Sequence, residues 1–472
     1  MLFIAEFRRS YNCCGSDVKV WDANIDGRTV RCAKIHNATS LTKTGTDVWL
    51  RLVNVRRLDI EDPQRTLQTV PKQLYFELPN LESLTVTWTQ IRSLPPSVFQ
   101  LPLTTLHLQR NQIKSLDGLE QVTRLTVLDV SHNMLETLPD VFVHLTSLEV
   151  LNVSGNRIAE LPDSIGSARR LTELNCSHNR LSSLPNSLGN ASQLAILDVS
   201  SNQLAGLPVG VGNLSGLRDM RAWSNSLCSL PYTFRQLQRL ASLTLRSNKF
   251  EHVPSQLSSL AALEHLNMAD NRLAHMDESI PALKYLVLDD NDFVQIDSGI
   301  VRCAGLHLLS LKRNRLGHIS QDIGQLISLR SLFLSDNPIV CIPVELGQLS
   351  QLLRLSLSST NIQTVPLAVA CLPSLQAIEL EDCTELDSQL SNAYKTNGRA
   401  GLKDYLKRQA STETSQSVNV ASNCVDLRAN SKRCVRTVAT ESILPADPPK
   451  VISPPPPTSP NERPTKAKKP VL

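Results

Sequence analysis

The stretch LEVLNVSGNRIAEL, residues 148–161, decides how the rest of the chain is interpreted. Its hydrophobic residues and one asparagine follow the spacing L-x-x-L-x-L-x-x-N-x-L-x-x-L. The same spacing recurs at residues 171–184, at residues 194–207 and, starting one position later, at residues 308–319. A template that returns at a fixed interval indicates a repeat architecture, in which similar units stack and share one continuous core.

One position of the template carries asparagine in most repeats. Ten of the 13 intervals between successive members are 23 residues, and the others are 22, 22 and 20. In L-x-L, a short strand would point both hydrophobic residues inward. The chain must then turn, and a buried amide can bond the backbone groups that the turn leaves without partners. The members of this asparagine column are Thr89, Asn111, Asn133, Asn156, Asn179, Asn202, Asn225, Asn248, Asn271, Asn291, Asn314, Asn337, Thr360 and Cys383.

The spacing predicts an α/β solenoid of the leucine-rich-repeat type. We expect a horseshoe of about 15 repeats of 23 residues, with a concave parallel β-sheet. Four regions follow from it: an N-terminal cap region at 1–54, the solenoid at 55–386, a helical cap at 387–409 and a disordered, proline-rich basic tail at 410–472.

The two ends of the chain depart from the repeat. Residues 18–21 and 28–33 are β-like runs, and the Asp-Gly dipeptide between them is a hairpin signal. They fit a cap or the remnant of a larger upstream domain equally well. At the other end GRAGLKDYLKRQ, residues 398–409, has the periodicity of an amphipathic helix. Ten prolines follow residue 444, and such a segment cannot build a core.

The amino-acid composition indicates which cellular compartment and which kinds of partner to expect. Residues 411–472 hold nine Lys/Arg and five Asp/Glu, which accounts for the formal net charge of +4 and leaves the body neutral. A neutral body argues against nucleic-acid binding. Eleven scattered cysteines favour reduced thiols and a cytoplasmic protein, and no apolar run is long enough for a membrane span. Disulfides at Cys13, Cys14 and Cys32 would instead indicate a secreted receptor.

The repeat consensus narrows the family. Leu161-Pro162 followed by Ile165-Gly166 is one copy of an L-P-x-x-I-G segment that recurs along the chain. This 23-residue repeat resembles the intracellular Ras-group leucine-rich-repeat proteins, which include the Ras-binding scaffolds, the plant Ras-group proteins and the repeat regions of LAP proteins. The resemblance covers about residues 55–410.

The resemblance implies a non-enzymatic intracellular scaffold or adaptor in signal transduction, whose partner is a Ras-family GTPase or a phosphatase. The alternative is a targeting subunit, or a fragment of a multidomain signalling enzyme whose catalytic part is on another chain or missing. We find no catalytic, cofactor or metal motif in the sequence.

The middle repeats carry unusual residues at positions that face the concave side. Trp223 stands at a position where serine is the most frequent residue, and charges of both signs surround it. Exposed Trp and Arg are enriched at interface hot spots, so we expect a protein-binding patch here. The alternative is a solvated face whose charges pair with each other, each pair contributing at most about 1 kcal/mol. This concave patch comprises Arg221, Trp223, Arg246, Asp270, Asp289, Asp290, Lys312, Arg313, Phe333 and Asp336.

Two further sequence features each allow either a functional interpretation or one without a functional role. Pro454, Pro457 and Pro460 fit the x-P-x-x-P spacing that SH3-like domains bind, or they belong to an inert linker. One repeat lacks three residues between Ile280 and Leu283, compared with its neighbours. That loss either changes the local curvature or is a tolerated loop deletion, which is the simpler explanation.

Overall fold

The computed structural model describes residues 8–12, 18–25, 28–35, 54–62, 67–70 and 73–418. In this part of the chain each strand pairs with the next strand in chain order. The strands from β3 to β18 form one parallel sheet of sixteen strands, whereas β1 and β2 pair antiparallel at its N-terminal edge. The predicted leucine-rich-repeat solenoid is therefore confirmed.

The strands are β1 (Arg8–Asn12), β2 (Val18–Ile25), β3 (Arg28–Ile35), β4 (Arg57–Glu61), β5 (Ser83–Thr87), β6 (Thr105–His107), β7 (Val127–Asp129), β8 (Val150–Asn152), β9 (Glu173–Asn175), β10 (Ile196–Asp198), β11 (Asp219–Arg221), β12 (Ser242–Thr244), β13 (His265–Asn267), β14 (Tyr285–Val287), β15 (Leu308–Ser310), β16 (Ser331–Phe333), β17 (Arg354–Ser356) and β18 (Ala377–Glu379).

The convex side is built from short helical turns that follow the L-P dipeptides. Pro162 is extended and directly precedes one of them. The glycine of the I-G pair is required by stacking, because a Cβ at Gly166 would lie 2.0 Å from the carbonyl oxygen of Ser187 in the next repeat. The 3₁₀ helices are Pro96–Gln100, Leu119–Gln121, Asp163–Ser167, Asn186–Asn190, Val209–Asn213, Tyr232–Gln236, Ser255–Ser259, Gln321–Gln325 and Val344–Gln348, and the α-helices are α1 (Gln73–Glu77), α2 (Ser298–Val301), α3 (Leu367–Ala370) and α4 (Ser388–Val418).

The asparagine column forms a continuous ladder inside the solenoid. Asn133 Nδ2 donates to the carbonyl of Val130 in its own repeat, at 3.0 Å, and to that of Leu108 in the preceding repeat, at 2.9 Å. Its Oδ1 accepts from the Ile113 N–H at 2.9 Å. Asn156 repeats all three bonds one step further along the chain. Each amide therefore ties its own turn to the preceding one.

The residue before each asparagine adopts a left-handed backbone conformation. Its φ is +54° at His132, +66° at Gly155 and +55° at Asp290. Glycine, aspartate and asparagine tolerate this conformation best among the amino acids. The position therefore carries a backbone requirement that is separate from any binding role.

The short repeat keeps its strand and loses its helix. The segment between β13 and β14, all of it described, contains no helix, whereas helices precede both neighbouring strands. The strand register is intact, with His265 opposite Tyr285 and Leu266 opposite Leu286. The deletion thus falls on the convex side.

Both ends of the solenoid are covered. At the front, the β2–β3 hairpin extends the sheet and buries Ala33 and Ile35. At the back, α4 packs Leu402 into the core, and the Tyr394 hydroxyl donates to the carbonyl of Ile378 on the last strand at 3.0 Å.

Helix α4 does not follow the expected boundaries. It begins at Ser388, where the Asp387 carboxylate accepts from the backbone N–H of Leu390, and it is kinked at Asn397 and Gly398. It ends at Val418, so the boundary expected at residue 410 lies inside the helix. No proline or glycine occurs between residues 410 and 418 to end it earlier. The proline-rich remainder lies outside the described residues.

Candidate protein-binding surface

The concave sheet presents more residues than the sequence analysis considered. Side chains alternate along a strand, so the first residue of each strand faces the same way as the third. In β14 the flanking residues Tyr285 and Val287 are accessible, whereas Leu286 between them is fully buried. The predicted patch used the third position of the strand, the position two residues later and the turn position that follows it, and it therefore missed the first position.

The missed position carries a cluster of rings. The ring of Tyr285 stacks on that of His265, with the centroids 4.3 Å apart and the planes 2° from parallel. His307, one residue before β15, packs edge-on with Tyr285, with the ring centroids 6.1 Å apart. Tyr285 nevertheless keeps 37% of its surface exposed. The neighbouring imidazoles thus hold the ring in place without covering it.

Apolar side chains continue this cluster across adjacent strands. Leu308 lies opposite Tyr285 in the register, and Ser310 lies between Val287 and Phe333. All of these apolar residues are partly accessible. We use the term aromatic surface for His265, Tyr285, Val287, Leu308 and Phe333.

Charged groups lie beside the aromatic surface. The ammonium group of Lys312 lies 4.7 Å from the centroid of the Phe333 ring, a cation–π contact. Asp289 Oδ1 accepts from the Ser310 hydroxyl at 2.6 Å and from the Lys312 N–H at 2.8 Å. The structure therefore brings together three residues of the predicted patch, Asp289, Lys312 and Phe333.

A second group of predicted residues lies at the turns. Arg313 donates from Nη2 to Asp290 Oδ2 at 2.8 Å and also from Nε to Oδ1. This hydrogen bonding and the positive charge of Arg313 hold the pKa of Asp290 below its usual range, and the same bonding and the negative charge of Asp290 raise the pKa of Arg313. Asp290, Arg313, Asp270 and Asp336 all occupy the left-handed position before an asparagine, so they border the sheet and do not lie on its strands.

The residues in the N-terminal part of the predicted patch each have different contacts. Trp223 is half-buried, because its ring packs edge-on against His178 with the centroids 5.6 Å apart. The guanidinium of Arg221 pairs with Asp219 on its own strand, at 2.6 Å. Arg246 is exposed and acts on Asp290 only through its charge. The tryptophan of the predicted patch is thus partly covered by a histidine two repeats away and keeps the rest of its ring accessible.

Other kinds of site receive no support from the described residues. In that part of the chain no group of three or more His, Cys, Asp or Glu could hold a metal ion. None of its helices has the length and apolar character to cross a membrane. Cys176 is buried, and burial raises the pKa of its thiol. Pro454, Pro457 and Pro460 lie outside the described residues.

Comparison with known families agrees with this architecture. A family model described as leucine rich repeat matches residues 79–135, 102–158, 215–273 and 281–339, and a second leucine-rich-repeat model matches residues 170–191. The protein is a leucine-rich-repeat protein. No curated protein matches the chain.

Solved structures with similar repeats come from several kinds of organism. A leucine-rich-repeat protein of Leptospira interrogans is 26% identical, with a TM-score of 0.68, over 76% of this chain and 97% of that one. Toll in the glycosylated Toll–Spatzle complex of Drosophila is 26% identical, with a TM-score of 0.62, over 71% of this chain and 49% of that one. The plant peptide hormone receptor RGFR1, in complex with RGF2, is 25% identical, with a TM-score of 0.56, over 70% of this chain and 58% of that one.

Proposed function

We propose that the protein is a non-enzymatic scaffold that binds a signalling protein through the concave face of its leucine-rich repeats, with the aromatic surface at the centre of the contact. The observation that carries this proposal is the placement of Tyr285. The ring packs against two histidines and is still 37% exposed on the sheet. Rigid, partly exposed aromatic residues supply contact area at little entropic cost, and tyrosine is enriched at hot spots.

The charged residues of the predicted patch have a different role in this proposal. Asp290 and Arg313 already satisfy each other, and both are substantially exposed, so they contribute little to affinity. Exposed charges at the rim of an interface chiefly steer association and fix orientation. Arg246, Asp270 and Asp336 are exposed in the same way. We assign affinity to the aromatic surface and specificity to these charges.

The partner class rests on the resemblance to the Ras-group proteins, which implies a Ras-family GTPase or a phosphatase subunit in the cytoplasm. Two of the similar solved structures are complexes, Toll with Spatzle and RGFR1 with RGF2. They support a polypeptide partner for repeats of this kind. The specific partner is our proposal from the resemblance.

The test compares two double variants with the wild-type protein. Tyr285→Ala with Phe333→Ala truncates the aromatic surface. Ile327→Ala with Val344→Ala removes two aliphatic side chains that are 61% and 62% exposed outside the concave sheet, and it serves as the matched control. Each protein is used to recover partners from native cells, after circular dichroism has shown unchanged secondary structure.

Recovered GTPases, loaded with GDP or a GTP analogue, and recovered phosphatase subunits are then titrated by calorimetry. Two hot-spot truncations of about 2 kcal/mol each predict a loss of affinity of roughly a thousandfold. The control variant should bind like the wild type. Equal recovery of every partner by both double variants would show that the aromatic surface is not the contact.

A further inference from the structure

A groove of about 850 Å³ lies along the lateral edge of the solenoid, where the convex turns return to the strands. It crosses the repeats that contain β9 to β12. Its size is typical of ligand-binding clefts, which measure about 300–1,000 Å³. It is separate from the aromatic surface, which lies on β13 to β16.

Small residues create the groove. Gln193, Gly216 and Arg239 occupy the same position in three consecutive repeats, directly before the first leucine. At Gly216 a side chain is excluded, because a Cβ would lie 2.7 Å from the carbonyl oxygen of Ser192. Ala195, on the neighbouring repeat, also lines the groove. The surface is therefore recessed in the middle of this edge, and longer side chains flank the recess on both sides.

The groove carries positive charge that the protein does not neutralise. Arg218 and Arg239 line it and are exposed, and within the described residues neither forms an ion pair with a carboxylate. Asp219, which also lines the groove, is already paired with Arg221. Arg170 lies outside the groove lining, at the same repeat position as Gln193 one repeat earlier; it is exposed, and no carboxylate of the described residues pairs with it. Because the body of the chain is neutral, this is a local concentration of cations.

We propose that this groove binds an extended acidic peptide segment of a partner protein. Arginine side chains bind carboxylates with two parallel hydrogen bonds. The amides of Gln193 and Gln236, which also line the groove, each offer a donor and an acceptor, as a peptide backbone requires. Their acceptor oxygens suit a peptide better than a phosphate group, which offers mainly acceptors of its own.

The repeat spacing sets the spacing of the acidic residues. Arg170 and Arg239 are three repeats apart. Neighbouring strands are about 4.8 Å apart, so these two positions are separated by roughly 14 Å. An extended peptide advances about 3.3 Å per residue, so two carboxylates four residues apart match the spacing of these two arginines.

The experiment uses the full chain and a fluorescein-labelled peptide of the sequence GGESTSEGG, followed by fluorescence anisotropy. We expect saturable binding that weakens as salt is raised, and none with GGQSTSQGG. Arg218→Ala with Arg239→Ala should weaken binding of the glutamate peptide at least about tenfold. Arg180→Ala with Arg272→Ala removes the same number of exposed charges elsewhere and should change nothing.

The same peptide is titrated into the Tyr285→Ala, Phe333→Ala protein, whose binding should be unchanged. This result distinguishes the groove from the proposed concave contact, because either proposal can be wrong while the other holds. The proposal is overturned if the glutamate peptide shows no saturable binding up to about 1 mM, or if the glutamine peptide binds equally well. It is also overturned if an oligothymidylate or phosphatidylserine vesicles bind the groove more tightly than the peptide.

Discussion

Replacement of Asn133 by alanine is the most direct test of the ladder that holds the repeats together. The amide donates to the carbonyls of Leu108 and Val130, at 2.9 and 3.0 Å, and accepts from the Ile113 N–H at 2.9 Å. Asn133 is 8% exposed, so water has little access to these groups. Asn133→Ala removes these three bonds in a single step, together with a longer bond to the carbonyl of Ser131 at 3.2 Å, whose oxygen keeps a backbone donor.

The three losses are not equivalent. The carbonyl of Leu108 also accepts from Asn111, and that of Val130 also accepts from Asn156, so each keeps one donor. Only the Ile113 N–H is left without an acceptor, because its hydrogen bond is the one to Asn133 Oδ1. An orphaned buried donor costs about 1–3 kcal/mol, and each weakened bond costs about 0.5 kcal/mol. We therefore expect Asn133→Ala to lower the free energy of unfolding by about 2–4 kcal/mol.

Urea unfolding followed by circular dichroism measures this change, and hydrogen exchange of the Ile113 amide reports whether the loss is local. Asn152→Ala is the matched control, because Asn152 is half-exposed on the concave face and bonds chiefly to the Ser154 N–H. It should cost under about 1 kcal/mol. Equal costs for the two variants, with no faster exchange at Ile113, would refute the role given to the ladder.

Three further outcomes follow from local structure. Gly166→Ala should destabilise the protein by about 2 kcal/mol or more through overpacking, whereas Gly206→Ala, with open space around it, should change stability by under about 0.5 kcal/mol in the same urea titration. The pKa of Asp290 is lowered in the folded state, so its small stabilising effect is present above the unfolded pKa and is lost as the pH falls through the folded pKa. Asp290→Asn should therefore be slightly less stable than wild type at neutral pH and equal to it in acid. A thiol-reactive dye should label exposed Cys228 in the native protein and buried Cys176 only on unfolding.

The spacing of residues was sufficient to predict the fold. Leu151 and Val153 are buried as the L-x-L template requires, and Asn156 makes the predicted bonds to the backbone. Such features repeat along the chain and depend on the backbone alone. The left-handed conformation of the residue before each asparagine is a backbone requirement of the same kind, although four of these residues belong to the predicted binding patch.

The candidate surface was harder to predict, because its contacts join residues on different repeats. Tyr285 could have been found from strand alternation, since it precedes Val287 by two residues. Its parallel stack on His265 could not, because the repeat template places these two residues side by side but does not specify the rotamers of their rings. The contact of Trp223 with His178 depends on the rotamer of a long side chain, which spacing does not specify.

The direction of the ladder bonds has a consequence for synthesis on the ribosome. The Leu135 N–H finds its acceptor in Asn156, which lies 21 residues closer to the C-terminus. A newly made turn therefore cannot complete its bonds until the following repeat has emerged from the exit tunnel. Each repeat supplies the acceptor that completes the turn of the repeat before it. The most recently synthesised turn of the nascent chain therefore always lacks this hydrogen bond. Helix α4, synthesised after the last strand, covers the final repeat.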